Sequence, residues 1–304
     1  MPEMQKLVDV IGGPLFDFAV TTPNKEMLQH YHPYPEHLNN YHRIYKSKST
    51  GSAESDRFKN RPLDEFLNFM TENGIGKLCV KARDIEETFG LRIPNEEVAS
   101  LVTDFPDRIV GFAGVDPNKG MRAVQDLDYA VRELGLCGLN IQLYENKLCA
   151  DDKKMYPVYA KCSELGIPIN IHCSVNFSTS TLMKYGHPLA LDEVAVDFPD
   201  LNIIVSPPGW PWVEELIGVA WRHPNVYIGL TAVSPRLLAK PGSGYESLFT
   251  YGNGVLQDKM IFGSSWPLLP LDRYIKEFLS LPWKPEVLPK VLRENGLKAC
   301  RISG

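Results

Sequence analysis

The chain has no CxxC pair, no block of like charge and no uninterrupted apolar run of about 18 residues, the length a helix needs to cross a bilayer. These absences exclude the usual zinc-ribbon and thioredoxin signatures and a helical membrane anchor. The six cysteines, Cys79, Cys137, Cys149, Cys162, Cys173 and Cys300, are scattered, several in apolar runs where a thiol behaves as a small hydrophobe; they read as reduced. A formal net charge of -5 with both signs interspersed leaves no footprint for nucleic acid or an anionic membrane. The N-terminus lacks a basic region followed by an apolar stretch, so a cytoplasmic protein is expected. There is also no Gly-x-Ser-x-Gly elbow, so Ser206, Ser264 and Ser265 are not nucleophile candidates.

What is present is a repeating alternation. The 304 residues are 44% hydrophobic and 23% charged, enough for one large core, and a (β/α)8 barrel typically needs about 250 residues. Eight strand-like runs are expected: Pro14 to Val20, Lys77 to Ala82, Ile109 to Val115, Gly138 to Gln142, Ile167 to His172, Asn202 to Ser206, Val226 to Leu230 and Met260 to Gly263. Amphipathic stretches separate them, and Phe105-Pro106-Asp107 and Phe198-Pro199-Asp200 stop helices just before strands. The prediction is a single α/β domain over 1–304, a closed parallel TIM barrel.

One insertion breaks the regularity. Residues 22–61 are far too long for an ordinary βα loop and are expected to form a lid at the barrel mouth, with 46–56 (KSKSTGSAESD) mobile. The lid carries His30, His32, His37 and His42 among tyrosines; the spacing matches no strong zinc signature, and a replacement metal site and a protein-contact surface both remain open.

Catalytic sites in such barrels lie at the C-terminal strand ends. Here those ends read Asp17-Phe18-Ala19-Val20-Thr21, Ile171-His172-Cys173, Ser206-Pro207-Pro208-Gly209 and Gly263-Ser264-Ser265-Trp266. Transition metals need imidazole, thiolate or carboxylate at fixed positions, and His172 is the one good ligand among them.

Gly135-Leu136-Cys137-Gly138-Leu139-Asn140, the run Tyr156-Pro157-Val158-Tyr159 through Gly166-Ile167-Pro168-Ile169-Asn170-Ile171-His172, Pro208-Gly209-Trp210-Pro211-Trp212, and Phe262-Gly263-Ser264-Ser265-Trp266-Pro267 together resemble the amidohydrolase-related family. That family includes metal-dependent decarboxylases, hydratases and hydrolases of small carboxylic acids. The resemblance implies an Asp-x-His-x-His pattern at the first strand, histidines at strands five and six, and an aspartate at strand eight. Asp17 and His172 keep their places, whereas Ala19 and Thr21 stand for the two histidines, Pro207 for the sixth-strand histidine and Ser265 for the aspartate. Three of the four usual metal ligands are absent, so no metal and no other cofactor is expected.

Two functions follow. The favoured one is a non-catalytic or regulatory subunit in a homo-oligomer, or in a hetero-oligomer with an active amidohydrolase homologue, its lid serving as a contact element. The alternative is a metal-independent hydrolase or decarboxylase acting on a small carboxylic or aromatic acid. There His172 is the proton carrier, oriented by Asp17, and Lys81, Asn140, Trp210, Trp266 and Ser265 line the substrate pocket, with Arg83 and Gln142 at neighbouring strand ends. For the tryptophans and Asp17, packing or backbone hydrogen bonding is the competing role.

Overall fold

The computed structural model describes residues 2–23, 54, 57–58 and 60–303. Eight strands form one parallel sheet in the order β1 (Leu15–Asp17), β2 (Ile75–Lys81), β5 (Ile109–Gly114), β6 (Leu139–Ile141), β7 (Ile169–Ile171), β8 (Ile203–Val205), β9 (Val226–Leu230) and β10 (Met260–Phe262). A separate antiparallel hairpin, β3 (Arg83–Ile85) with β4 (Leu91–Ile93), follows β2 directly. The sheet curls until its edges meet: Phe18 N–H donates to Phe262 O at 3.2 Å, Thr21 N–H donates to Trp266 O at 2.9 Å, and Val20 bridges Trp266 in parallel. The chain is a TIM barrel, as expected.

Helices follow most barrel strands. Leu63–Glu72 starts after Pro62, carries Asp64 and Glu65 in its first turn and buries Phe66, Leu67 and Met70, which with Leu63 form the i, i+3, i+4, i+7 stripe of an amphipathic helix. Asn95–Asp104 and Leu191–Asp197 both end where a Phe-Pro pair begins. Gly74, at φ +82, turns the chain from the first of these helices into β2. The N-terminal helix Pro2–Val10 and the β3–β4 hairpin were not anticipated. The hairpin closes through Gly90 at φ +68, and its three-residue strands are too short for a periodic signal.

The barrel interior explains where a site can exist. Side chains alternate inward along each strand, and Phe16, Phe18, Cys79, Val110, Phe112, Ile204, Tyr227 and Ile261 form a buried cluster joined by Leu297, Ala299 and Cys300. Phe18 and Phe112 meet edge to face at 5.8 Å. Gly138 leaves room for the Phe112 ring, since a Cβ there would lie 2.5 Å from it. Two or four residues further along the same strands the inward positions turn polar: Cys79 gives way to Lys81, Gly138 to Asn140, Ile204 to Ser206, Tyr227 to Thr231 and Ile261 to Ser265. The core therefore ends in a polar floor at the C-terminal mouth.

The lid expectation over 22–61, with its mobile stretch 46–56 and His30, His32, His37 and His42, lies largely outside the described residues. The six cysteines are all free thiols. Among the described residues no helix is long and apolar enough to cross a membrane.

Candidate active site at the barrel mouth

A cavity of about 170 Å³ opens above the polar floor. Its charged and imidazole-bearing walls are Lys81, Arg83 and His172; Thr21, Asn140, Gln142, Tyr144, Ser206, Thr231 and Ser265 add neutral polar groups. No carboxylate lines it among the described residues. An anion entering it meets cations and hydrogen-bond donors but no like charge.

The floor is a hydrogen-bonded relay. Ser206 Oγ donates to Asn170 Oδ1 at 2.7 Å, Asn170 Nδ2 donates to Asn140 Oδ1 at 2.7 Å, and Asn140 Nδ2 donates to Ala82 O at 3.0 Å. Three adjacent strands are thereby linked through side chains that are almost entirely buried. Buried amides are costly unless paired, and here each is paired. Gly263 sits beside this floor; a Cβ there would come within 2.7 Å of Thr231 Cγ2 and 3.2 Å of Ala19 Cβ.

Lys81 is the last residue of β2, and its Nζ stands 3.7 Å from the centre of the Phe18 ring. Burial pulls its pKa below the ordinary lysine value, while the nearby Cys79, Cys300 and Asp17 oppose that pull. Arg83 comes from the hairpin and donates through Nη1 to Glu145 Oε1 at 3.2 Å, a pair in which Glu145 is fully buried. His172, buried at the end of β7, packs its ring against Tyr144 at 4.6 Å in an edge arrangement, and its N–H donates to Ile141 O at 3.1 Å.

Asp17 sits elsewhere. It does not line the cavity and accepts no hydrogen bond from His172; its Oδ1 accepts the backbone N–H groups of Ala19 at 3.1 Å and Ser264 at 2.9 Å. Its Oδ2 has no partner among the described residues. Burial pushes its pKa up to about 6, against the lowering influence of Ser264, Ala19 and Lys81. The expected orienting contact from Asp17 to His172 is replaced by a clasp between the first and last strands.

The two tryptophans also part company. Trp266 borders the cavity but is fully buried, donating from Nε1 to Glu54 Oε2 at 2.7 Å and packing on Phe66 at 4.6 Å. Trp210 is outside the cavity, 38% exposed, with Nε1 donating to Ser243 O at 3.1 Å. Ser265, at φ 53, accepts the N–H of Ala232 at 2.6 Å. Lys81, Asn140, Ser265, Trp266 and His172 are thus gathered around one space, while Asp17 and Trp210 are not.

Sequence reasoning missed Tyr144, Asn170 and Thr231. Asn140 and Asn170 occupy equivalent ends of adjacent strands, paired in register, and that repetition was the available signal for a shared floor.

The cavity is a cationic pocket, without carboxylates among the described residues, at the C-terminal mouth of a (β/α)8 barrel, the end of this fold where active sites lie. A family model described as Amidohydrolase matches residues 37–301, and the chain belongs to that family. An uncharacterized TIM-barrel protein from Bordetella bronchiseptica has a similar structure, with 27% identity, coverage of 94% of this chain and 97% of that one, and a TM-score of 0.76. The fold is shared with 2,6-dihydroxybenzoate decarboxylase from Rhizobium, at 16% identity, 96% and 99% coverage and TM-score 0.61. It is likewise shared with 5-carboxyvanillate decarboxylase from Sphingomonas paucimobilis, at 16% identity, 95% and 99% coverage and TM-score 0.61. In sequence, 78 residues are 30% identical to 2-amino-3-carboxymuconate-6-semialdehyde decarboxylase of Dictyostelium discoideum. That match spans 26% of this chain and 22% of the curated relative.

Proposed function

We propose that the chain is a decarboxylase of a small carboxylic acid that works without a bound metal. The observation that carries this reading is the cavity wall: Lys81, Arg83 and His172 face a space of about 170 Å³ from which carboxylates are absent among the described residues. The names of the partial relative from Dictyostelium and of the structurally similar decarboxylases lend support, since each acts on a carboxylic acid.

The family resemblance implies a divalent metal, and the donor set at the mouth does not fit one. Ala19 and Pro207 carry no donor side chain, Thr21 and Ser265 offer neutral hydroxyls, and the Ser265 oxygen is already accepting from Ala232. Among the described residues no three His, Cys, Asp or Glu side chains gather closely enough to hold an ion. A single imidazole is far short of the three protein ligands usual at catalytic zinc.

In the metal-free reading, Arg83 and the positive potential of Lys81 draw in the substrate carboxylate. The bond from the carboxylate carbon breaks, carbon dioxide leaves, and the electron pair stays on the substrate carbon, where the His172 imidazolium delivers a proton. The amide and hydroxyl dipoles of Asn140, Ser206 and Thr231 are fixed in advance, so they need no reorganisation as charge moves. The test is a panel of small aromatic, 2-oxo and 3-oxo acids assayed for carbon dioxide release. Release that disappears in His172→Asn supports the reading; absence of release across the panel overturns it.

The replacement of ligand-type residues by Ala19, Thr21, Pro207 and Ser265 favours a second reading, a non-catalytic subunit assembled with an active homologue. That reading expects a stoichiometric complex on co-expression with an intact relative, and no turnover from the isolated chain.

A further inference from the structure

We propose that the amine of Lys81 is a covalent catalytic group that forms an imine with an oxo acid substrate. The inference rests on the decarboxylase reading and deepens it by naming the substrate class and the electron sink. Decarboxylation leaves an electron pair on carbon, and a mouth with no three-ligand metal cluster among the described residues needs another place to put it. A protonated imine one carbon away is such a sink.

The geometry points to Lys81 for four reasons. It ends β2 at the C-terminal mouth, where this fold places reactive groups, and it lines the cavity. Its Nζ rests 3.7 Å from the Phe18 ring centre. Among the described residues no carboxylate comes within ion-pair distance of it, unlike Lys119, which contacts Asp84 and Glu86 at 2.6 and 2.8 Å. Finally, the same wall holds Arg83 and His172, a carboxylate anchor and a proton carrier. A buried lysine with no carboxylate within ion-pair distance among the described residues is the kind whose ammonium is destabilised by desolvation, against the opposing pull of the Phe18 ring face, and whose free amine becomes available. The lowered pKa of Lys81 agrees with this.

The step balances. The free amine attacks the ketone carbon of a 3-oxo acid, and the carbinolamine takes a proton from solvent on its hydroxyl and loses water to give the protonated imine, a proton that the final hydrolysis returns to solvent. The bond to the carboxylate carbon then breaks, carbon dioxide departs, and its electron pair forms the enamine as the iminium charge is neutralised. His172 donates a proton to the enamine carbon, restoring the iminium. Water adds, the ketone leaves, and Lys81 is again an amine.

Acetylacetone tests the amine without requiring turnover, because it condenses with an uncharged lysine to a stable vinylogous amide. The full chain is treated with acetylacetone, and separately with oxaloacetate plus borohydride, then digested and mapped by mass spectrometry. The expected result is modification concentrated on the peptide carrying Lys81, at least about tenfold above any surface lysine and absent in Lys81→Arg. Labelling of Lys81 no greater than that of the surface lysines overturns the proposal, as does a folded Lys81→Arg chain that still decarboxylates 3-oxo acids at the native rate. That second outcome leaves the decarboxylase reading standing. Labelling at Lys81 with no carbon dioxide released from any acid keeps the imine site and removes the decarboxylase instead.

Discussion

The carboxylate of Asp17, at the end of β1, accepts the backbone N–H of Ser264 beyond β10 at 2.9 Å. Together with the Ala19 N–H, this ties the first strand to the last at the seam where the barrel closes. The carboxyl is fully buried, and its second oxygen finds no partner among the described residues. Its place at the strand end suggested catalysis; its contacts describe a clasp.

A pH dependence of stability follows. The pKa of Asp17 is raised by burial to about 6 from an unfolded value near 3.8. Between those values the native state keeps a proton that the unfolded chain has released, so unfolding free energy falls as pH rises. The contribution is fully present below about pH 4 and lost above about pH 6, on the order of 3 kcal/mol at 1.36 kcal/mol per unit. Asp17→Asn keeps an oxygen for the Ala19 and Ser264 N–H groups and removes the titration. Urea unfolding at pH 4, 5 and 6.5 should show the native chain losing stability relative to the variant across that range. Parallel profiles would mean that the carboxyl titrates normally.

The fold was readable from the sequence because short β-branched runs alternate with amphipathic stretches, and each Phe-Pro pair marks a helix end that the structure reproduces. The site was readable only in part. Strand-end position identified Lys81, Asn140, His172 and Ser265 as cavity residues, since the barrel fixes where such positions point. It failed for Asp17, because Phe16 and Phe18 on either side of it face the barrel interior, which by strand alternation turns the carboxylate the other way, onto the Ala19 and Ser264 N–H groups. It failed for Trp210 because the carbonyl of Ser243, 33 residues away, holds the indole outside the cavity. Such partners come from tertiary packing, which residue spacing does not encode.

The floor relay makes Asn170 a stability determinant. Asn170→Leu removes the acceptor of the Ser206 hydroxyl and the donor to Asn140 Oδ1 together, leaving two buried polar groups unpaired. At about 1–3 kcal/mol per orphaned group, the loss should be about 3 kcal/mol by urea midpoint. A change below about 0.5 kcal/mol would mean that water replaces the amide without cost.

His172 separates chemistry from folding. Its ring lies in the cavity wall against Tyr144, and its backbone N–H, which donates to Ile141, is kept when asparagine replaces it. His172→Asn should therefore lower kcat by about 10²- to 10⁴-fold, the usual contribution of a proton-transfer group, while the melting temperature moves by only a few degrees. Undiminished kcat would assign proton delivery to another cavity residue.

Introducing ligand side chains tests whether the residues at these strand ends decide metal binding at the mouth. Ala19→His, Thr21→His and Ser265→Asp, added to the resident His172, would recreate three imidazoles and a carboxylate at the mouth. Ala19, Thr21 and Ser265 already border the cavity, so the new groups would share the space with His172. Position 265 has φ 53, a left-handed conformation that aspartate tolerates better than most residues. After dialysis against zinc and then buffer, elemental analysis should find about one equivalent in the triple variant and far less in the native chain. If the native chain itself retains a full equivalent, the donor count at Ala19, Thr21, Pro207 and Ser265 is the wrong measure of this site, and metal-free decarboxylation falls with it.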